Sequence, residues 1–365
     1  MPSSSKPRAR SASVKRSFAP MDYVRQLYAD YPPSLAWNCT SEAEWKQWRR
    51  KLKTKVADLL GGLDEPRCDL QPQVSKRTRM GGYTRERVVF QSRENLSIPA
   101  WVLIPEGQAS LSAAGTPQRL PAVICLHGHG PGKDDIVGIN DDGTQRTEYA
   151  GYQQDFAIQA VRHGFFVIAP DMFGFGERRD RIEQAQTKDT SSCRQPSMAG
   201  LLMGHTVAGI RVYDVMRCVD YLLTRPEVNE KRIGLMGISG GGQVTTFAAA
   251  VDERISAALI SGYLAYWKDS IISIHHCPDN YVPSLLQYAE MPDIACLIAP
   301  RPVFFENGTR DDIFPLKSAR AAFRSVKSAY DVLGVEHRCG MEVFEGEHSF
   351  WGRKGFAFLE RWLKG

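Results

Sequence analysis

The spacing of apolar and polar residues divides the chain into helical and extended stretches before any chemistry is considered. Behind Thr40-Ser41-Glu42-Ala43-Glu44, which supplies a capping box, Trp45, Trp48, Leu52, Val56, Leu59 and Leu60 recur at three- and four-residue spacing until Gly61-Gly62. This predicts an amphipathic helix, with Lys46, Arg49, Arg50, Lys51, Lys53 and Lys55 as its solvated face. From 74 to 105 the period changes to short β-rich runs, 87–90 and 98–104, which read as antiparallel edge strands, and 106–120 reads as a surface loop. Residues 121–126 are an unbroken apolar run suited to a central parallel strand. A helical pattern over 152–162 and a second apolar run over 165–171 complete a strand-helix-strand unit. The alternation continues with a helix over 205–223, an apolar run over 232–238, a small-residue helix from Gln243 to Ala250, and strands over 255–261, 301–306 and 338–344. Helices over 316–333 and 351–363 close the chain. The expected architecture is α/β, a doubly wound, mostly parallel sheet whose reactive groups lie on loops after strand ends.

Composition sets the boundaries of this picture. A chain of 365 residues with 43% hydrophobic content can bury a large core. The expected organisation is a basic disordered tail over 1–20, a helical extension over 21–70 and an α/β domain over 71–365. Residues 263–292, rich in Trp, Tyr, His and Ile between two core strands, read either as a lid that shapes a pocket or as a segment packed on the sheet. Five of the 46 basic residues fall in the tail, which has no acid, leaving 41 against 41 acidic residues in the remainder. A neutral body argues against a nucleic-acid surface. No run reaches the roughly 18 apolar residues of a membrane span, and the N-terminus lacks the apolar core of a secretory signal, so a soluble cytoplasmic protein is expected. The eight cysteines are scattered without paired spacing and read as reduced thiols.

Three loops carry candidate chemistry. Gly237-Ile238-Ser239-Gly240-Gly241 fits G-x-S-x-G between a buried strand and a helix, so Ser239 would sit on a sharp turn with its hydroxyl above the sheet edge. The run over 301–306 leads into a loop holding Asp311 and Asp312, and the run over 338–344 leads into Glu345-Gly346-Glu347-His348. Serine, acid and histidine thus follow in chain order, each just past a strand. A serine hydroxyl is a poor nucleophile at neutral pH, so His348 would take its proton while a carboxylate fixes the ring. Asp311 and Asp312 compete for that role, with Asp269 as an outside candidate. A metal reading of His127, His129, His275, His276 and Cys277 is weaker, because Cys277-Pro278 has no spaced second thiol. No metal and no cofactor are expected.

On these motifs the chain resembles the α/β-hydrolases of the dienelactone-hydrolase and acetyl-xylan-esterase branch, over roughly residues 83–363. His127 to Pro131 resembles that family's H-G-x-x-G loop, Gly237 to Gly241 its elbow, and Gly308 to Pro315 its G-x-x-D-x-x-x-P acid loop. The resemblance implies Asp311 as the acid and backbone N–H groups of His129 and Gly240 as the oxyanion hole. Dienelactone hydrolases carry cysteine where this chain has Ser239, which favours an esterase. The implied activity is hydrolysis of small acyl esters, among them acetylated carbohydrates, with a small-molecule ester as partner and no nucleic acid or membrane. Tyr263, Trp267, His276 and Trp351 are the expected pocket residues. A prolyl-oligopeptidase-like peptidase would share the triad but carries a large extra domain. A non-catalytic homologue would have lost a triad member.

Overall fold

The computed structural model describes residues 16–107, 119–186 and 190–365. Most of the expected basic tail, 1–15, and the core of the expected surface loop, 108–118, lie outside the described residues.

Nine strands form one sheet: β1 Gln73–Met80, β2 Tyr83–Arg93, β3 Leu96–Pro105, β4 Leu120–Leu126, β5 Phe166–Pro170, β6 Val228–Ile238, β7 Ala257–Ser261, β8 Val303–Gly308 and β9 Cys339–Phe344. Their spatial order is β1-β2-β3-β5-β4-β6-β7-β8-β9. The first three pair antiparallel, β3 meets β5 antiparallel, and the six strands from β5 to β9 run parallel. The parallel strands β5 and β7 are buried at every position, as expected of strands covered on both faces. β1 is different. Its sequence, Gln-Val-Ser-Lys-Arg-Thr-Arg-Met, has no apolar face, and most of it is exposed, so charge protects this outer edge.

Register places the ends of the parallel strands along one edge. Leu126 pairs with Gly237, Ile238 with Ser261, Ser261 with Glu306, and Gly308 with Phe344. The residues that follow these ends therefore come together, although they are scattered along the chain. The strand order reverses at β4, so the loops after β4 and β6 flank the switch point where α/β sheets bind ligands.

The amphipathic helix occupies Glu42–Leu60. Ser41 caps it by accepting from the Glu44 N–H at 3.3 Å, while the Glu44 carboxylate accepts from the Thr40 N–H at 2.7 Å. Leu52, Val56 and Leu60 are fully buried in the main core, each contributing about 1.5–3 kcal/mol by burial. Beside this stripe Arg49 and Lys53 pair with Glu253; Arg49, expected on the solvated face, is mostly buried and also donates to the Leu297 carbonyl at 3.2 Å. The helix ends at Gly61, φ 74°, against the helix Val207–Thr224; a Cβ on Gly209 would stand 2.2 Å from the Leu60 carbonyl oxygen. Only glycine permits that approach.

Residues 263–292 contain no long helix, but 3-10 turns at Trp267–Asp269, Pro278–Asn280 and Leu285–Gln287 and the start of the short helix Met291–Cys296. Tyr263, Leu264, Trp267, Ile271 and Leu285 nevertheless belong to the main core. Glu290 anchors the segment by accepting from the Trp267 N–H at 3.0 Å and from the Tyr28 hydroxyl at 2.6 Å.

Candidate active site

The apolar strand β6 stops at Ile238, and Ser239 takes φ 56° and ψ −122°, a conformation that L-residues with side chains rarely adopt. The surrounding glycines make the turn possible. A Cβ on Gly237 would lie 2.5 Å from the Gly241 backbone, and one on Gly241 would lie 2.0 Å from the Leu126 carbonyl oxygen. Helix Gly240–Val251 starts at once, so its unpaired N-terminal N–H groups face the space above Ser239. The Ser239 N–H donates to the Ser261 carbonyl at 3.0 Å, which ties the turn to the end of β7.

Beyond Ser261, Gly262 has φ 52°, and a Cβ there would stand 2.7 Å from Cε1 of His348. The imidazole thus rests on bare backbone next to the serine turn. Its Nδ1 is 2.8 Å from Oδ2 of Asp311. The other carboxylate oxygen, Oδ1, accepts from the N–H groups of Ile313 at 3.0 Å and Phe314 at 2.8 Å, so the acid is held from both sides. Tyr152 and Phe314 lie on the ring with centroids at 5.8 Å each. Nε2 of His348 is buried and has no hydrogen-bond partner among the described residues. With Nδ1 donating to the carboxylate, Nε2 is the acceptor of the neutral ring. Of the three acids weighed from sequence, the structure brings Asp311 to His348. Asp312 is exposed, and Asp269 accepts from the Ser318 hydroxyl at 2.7 Å.

The loop after β4 carries two histidines with opposite surroundings. His127 is fully buried; its Nε2 accepts from the Met172 N–H at 3.0 Å, and its Nδ1 meets the Gly128 carbonyl at 2.7 Å. Burial pushes it down to about 3, so it is a neutral tie between two loops. His129 is turned toward the start of helix Gly240–Val251, where a Cβ on Gly240 would stand 3.2 Å from its Nδ1. Tyr152 fixes this loop by donating to the His129 carbonyl at 2.6 Å, and Gln153 does so by accepting from the Gly128 N–H at 2.6 Å.

Nε2 of His129 lies 3.2 Å from Oδ2 of Asp279, within ion-pair distance but off the hydrogen-bonding direction. The same oxygen accepts from the fully buried guanidinium of Arg211 at 2.7 Å, and Arg211 also lies 3.2 Å from the Cys193 sulfur. Burial opposes charge on His129, but Asp279 and Cys193 outweigh it and push the ring up to about 9. A hydrogen bond from Cys277 is the main cause that holds the Cys193 thiol down to about 5, with Arg211 and His129 adding to it against the cost of burial.

Sequence reasoning missed Cys193, Asp279 and Arg211. The absence of a second thiol near Cys277 in sequence is made good in space by Cys193, the residue before helix Arg194–Leu202. No local spacing announces it. Of the five residues weighed as metal ligands, His127 is committed to the backbone, His275 is exposed, and His129 and Cys277 meet in one cluster. Among the expected pocket residues, Tyr263 packs 5.0 Å from Phe314, which itself lies on His348, and its buried hydroxyl has no hydrogen-bond partner among the described residues. His276 is half-buried, with Nδ1 also unpartnered. Trp267 lines a small cavity of about 60 Å³ with Ile271, Asn280 and Leu285, and none of Ser239, Asp311 and His348 borders it. Trp351 stacks on Phe344 at 4.9 Å with Arg353 over its other face at 4.3 Å.

No helix among the described residues is long and apolar enough to cross a membrane. In sequence, the chain is 30% identical over 256 residues to YtaP of Bacillus subtilis (strain 168), a protein put forward as a hydrolase; the match covers 67% of this chain and 79% of YtaP. In structure it is similar to a protein of Bacteroides fragilis NCTC 9343 put forward as an acetyl xylan esterase, with TM-score 0.77, 18% identity and coverage of 96% and 91% of the two chains. It is also similar to a glucuronoyl esterase from Solibacter usitatus, with TM-score 0.63, 15% identity and coverage of 90% and 96%. The profile of the Abhydrolase family matches residues 6–343, most of the chain, and the protein belongs to that α/β-hydrolase family.

Proposed function

We propose that the protein is a serine carboxylic-ester hydrolase that acts on small acyl esters of carbohydrates through an acyl-enzyme on Ser239. The observation that carries this reading is the arrangement at His348: Nδ1 is held by Asp311 at 2.8 Å, Nε2 is buried without a partner among the described residues, and the ring lies on Gly262, next in chain to Ser261, whose carbonyl accepts from the Ser239 N–H. In this reading Nε2 takes the Ser239 proton as Oγ attacks the ester carbonyl, then delivers it to the departing alcohol. Asp311 stabilises the imidazolium and keeps the ring in its orientation. The N–H groups of Gly240 and His129 stabilise the oxyanion, the first from a helix start and the second from a loop clamped by Tyr152 and Gln153. Water then repeats the cycle on the acyl-enzyme. That two solved relatives in fold bear esterase names, each for a carbohydrate substrate, supports the choice of substrate class. An assay of p-nitrophenyl acetate, butyrate and octanoate beside acetylated xylose and a methyl glucuronate tests it. The expected outcome is turnover of short acyl or sugar esters that disappears in Ser239→Ala. Ester turnover unchanged in Ser239→Ala, or no turnover of any ester, would overturn it.

A further inference from the structure

His129, Cys193, Cys277 and Asp279 come from three separate segments: the loop after β4, the start of helix Arg194–Leu202, and the region 263–292. One donor atom from each lies within 4.8 Å of every other. The proposed ester chemistry uses the backbone N–H of His129 and none of these four side chains. We infer that these four side chains form a structural zinc site that pins the His129 loop to the two segments opposite it.

The donor set supports that metal. Two thiolates, an imidazole and a carboxylate are the borderline-soft combination that selects zinc over magnesium or calcium, and four protein donors fill a tetrahedral site. With no open position the ion would hold structure and take no part in turnover. His129 offers the clearest sign: its buried Nε2 stands 3.2 Å from Asp279 without a hydrogen bond, and a metal bound there would displace the proton that Asp279 and Cys193 otherwise hold on the ring. Charge also balances. Two thiolates and a carboxylate carry three negative charges, and Zn²⁺ with the fully buried Arg211 supplies three positive ones. Arg211 is placed as an outer partner, donating to Asp279 at 2.7 Å and reaching the Cys193 sulfur at 3.2 Å. A Cys193–Cys277 disulfide would satisfy only the two sulfurs and leave His129 Nε2 unsatisfied.

The test is metal content of the full chain, purified under reducing conditions without chelators and then incubated with zinc sulfate. About one zinc per chain is expected, with loss of stability on chelator treatment that zinc restores. Cobalt loaded in place of zinc should give thiolate-to-cobalt charge-transfer absorption and the intense visible bands of tetrahedral coordination. The Cys193→Ser/Cys277→Ser double variant should lose both signals, whereas Cys39→Ser, at a half-buried thiol outside the cluster, should keep them. If the double variant does not fold, the cobalt spectrum of the unmodified chain still decides. No stoichiometric zinc after incubation, a cobalt spectrum without sulfur ligation, or a Cys193–Cys277 disulfide with no zinc uptake after reduction would each overturn the inference. None of these readouts uses turnover, so a failed esterase assay leaves the result standing.

Discussion

Two histidine-aspartate pairs stand on either side of the serine turn, and they are built for different work. At His348 the acid is balanced by backbone N–H groups of Ile313 and Phe314, no cation touches it, and the far ring nitrogen has no partner. At His129 the acid is gripped by a buried guanidinium, two thiols close the other side, and the ring is pushed up to about 9. In the proposed reaction the first ring passes the Ser239 proton to the departing alcohol. The second fixes charge in place. The two His-Asp contacts thus differ in what neutralises the acid, backbone N–H groups in one and a guanidinium in the other.

Removing one member of each pair should separate the two environments by the widest margin. His348→Ala should lower kcat by about 10⁴-fold or more, and Asp311→Asn by roughly 10³- to 10⁴-fold, as triad removals generally do. Asp279→Asn should cost activity only through the position of the His129 loop, about 10- to 100-fold. Steady-state kinetics on p-nitrophenyl acetate check all three, and equal losses at Asp311 and Asp279 would erase the distinction. Next in size is Gly262→Ala. Its Cβ would stand 2.7 Å from the His348 ring, and a fall in kcat of about 100-fold is expected. Gly240→Ala, whose Cβ meets His129 at 3.2 Å, should cost less. Tyr152→Phe removes the hydroxyl that holds the His129 carbonyl at 2.6 Å, and about a tenfold loss in kcat/KM is expected.

The smallest expected effect is on stability. Glu306, beneath the His348 side of the site, is buried, and burial raises it to about 7 although the Gly352 N–H and Trp351 N–H bond its carboxylate. A carboxyl raised on folding holds its proton longer in the native state than in the unfolded one. Its contribution to stability is therefore complete below the ordinary carboxylate range and is lost as pH rises through about 7. Unfolding free energy should fall between pH 5 and 8 by on the order of 1 to 3 kcal/mol, and Glu306→Gln should flatten that slope. Urea titrations at the two pH values check it.

Much of the candidate site's placement was legible in the sequence because parallel strands are continuous apolar runs that end abruptly. The run into Ser239 stops at glycines, and those into Asp311 and His348 stop at short polar loops, so register along one sheet edge brings the three together. β1 was not legible, because Gln73–Met80 has no apolar alternation and is extended only by pairing with β2. Residues 263–292 could be read as a lid or as packing, since the same aromatic content serves either; contacts of Glu290 with Trp267 and Tyr28 are tertiary and leave no local pattern. The Cys193 cluster was hidden for the same reason. Nor does the sequence distinguish His127 from His129, two residues apart, because which ring turns inward depends on Met172, Asp279 and Arg211.

Active-site labelling reports directly whether Ser239 is the nucleophile. The protein would be treated with a fluorophosphonate, its intact mass measured and the modified peptide sequenced. The expected result is one adduct on Ser239, absent in Ser239→Ala and formed far more slowly in His348→Ala. An adduct of equal yield in Ser239→Ala, or full esterase turnover in a protein that the reagent never modifies, would contradict the account.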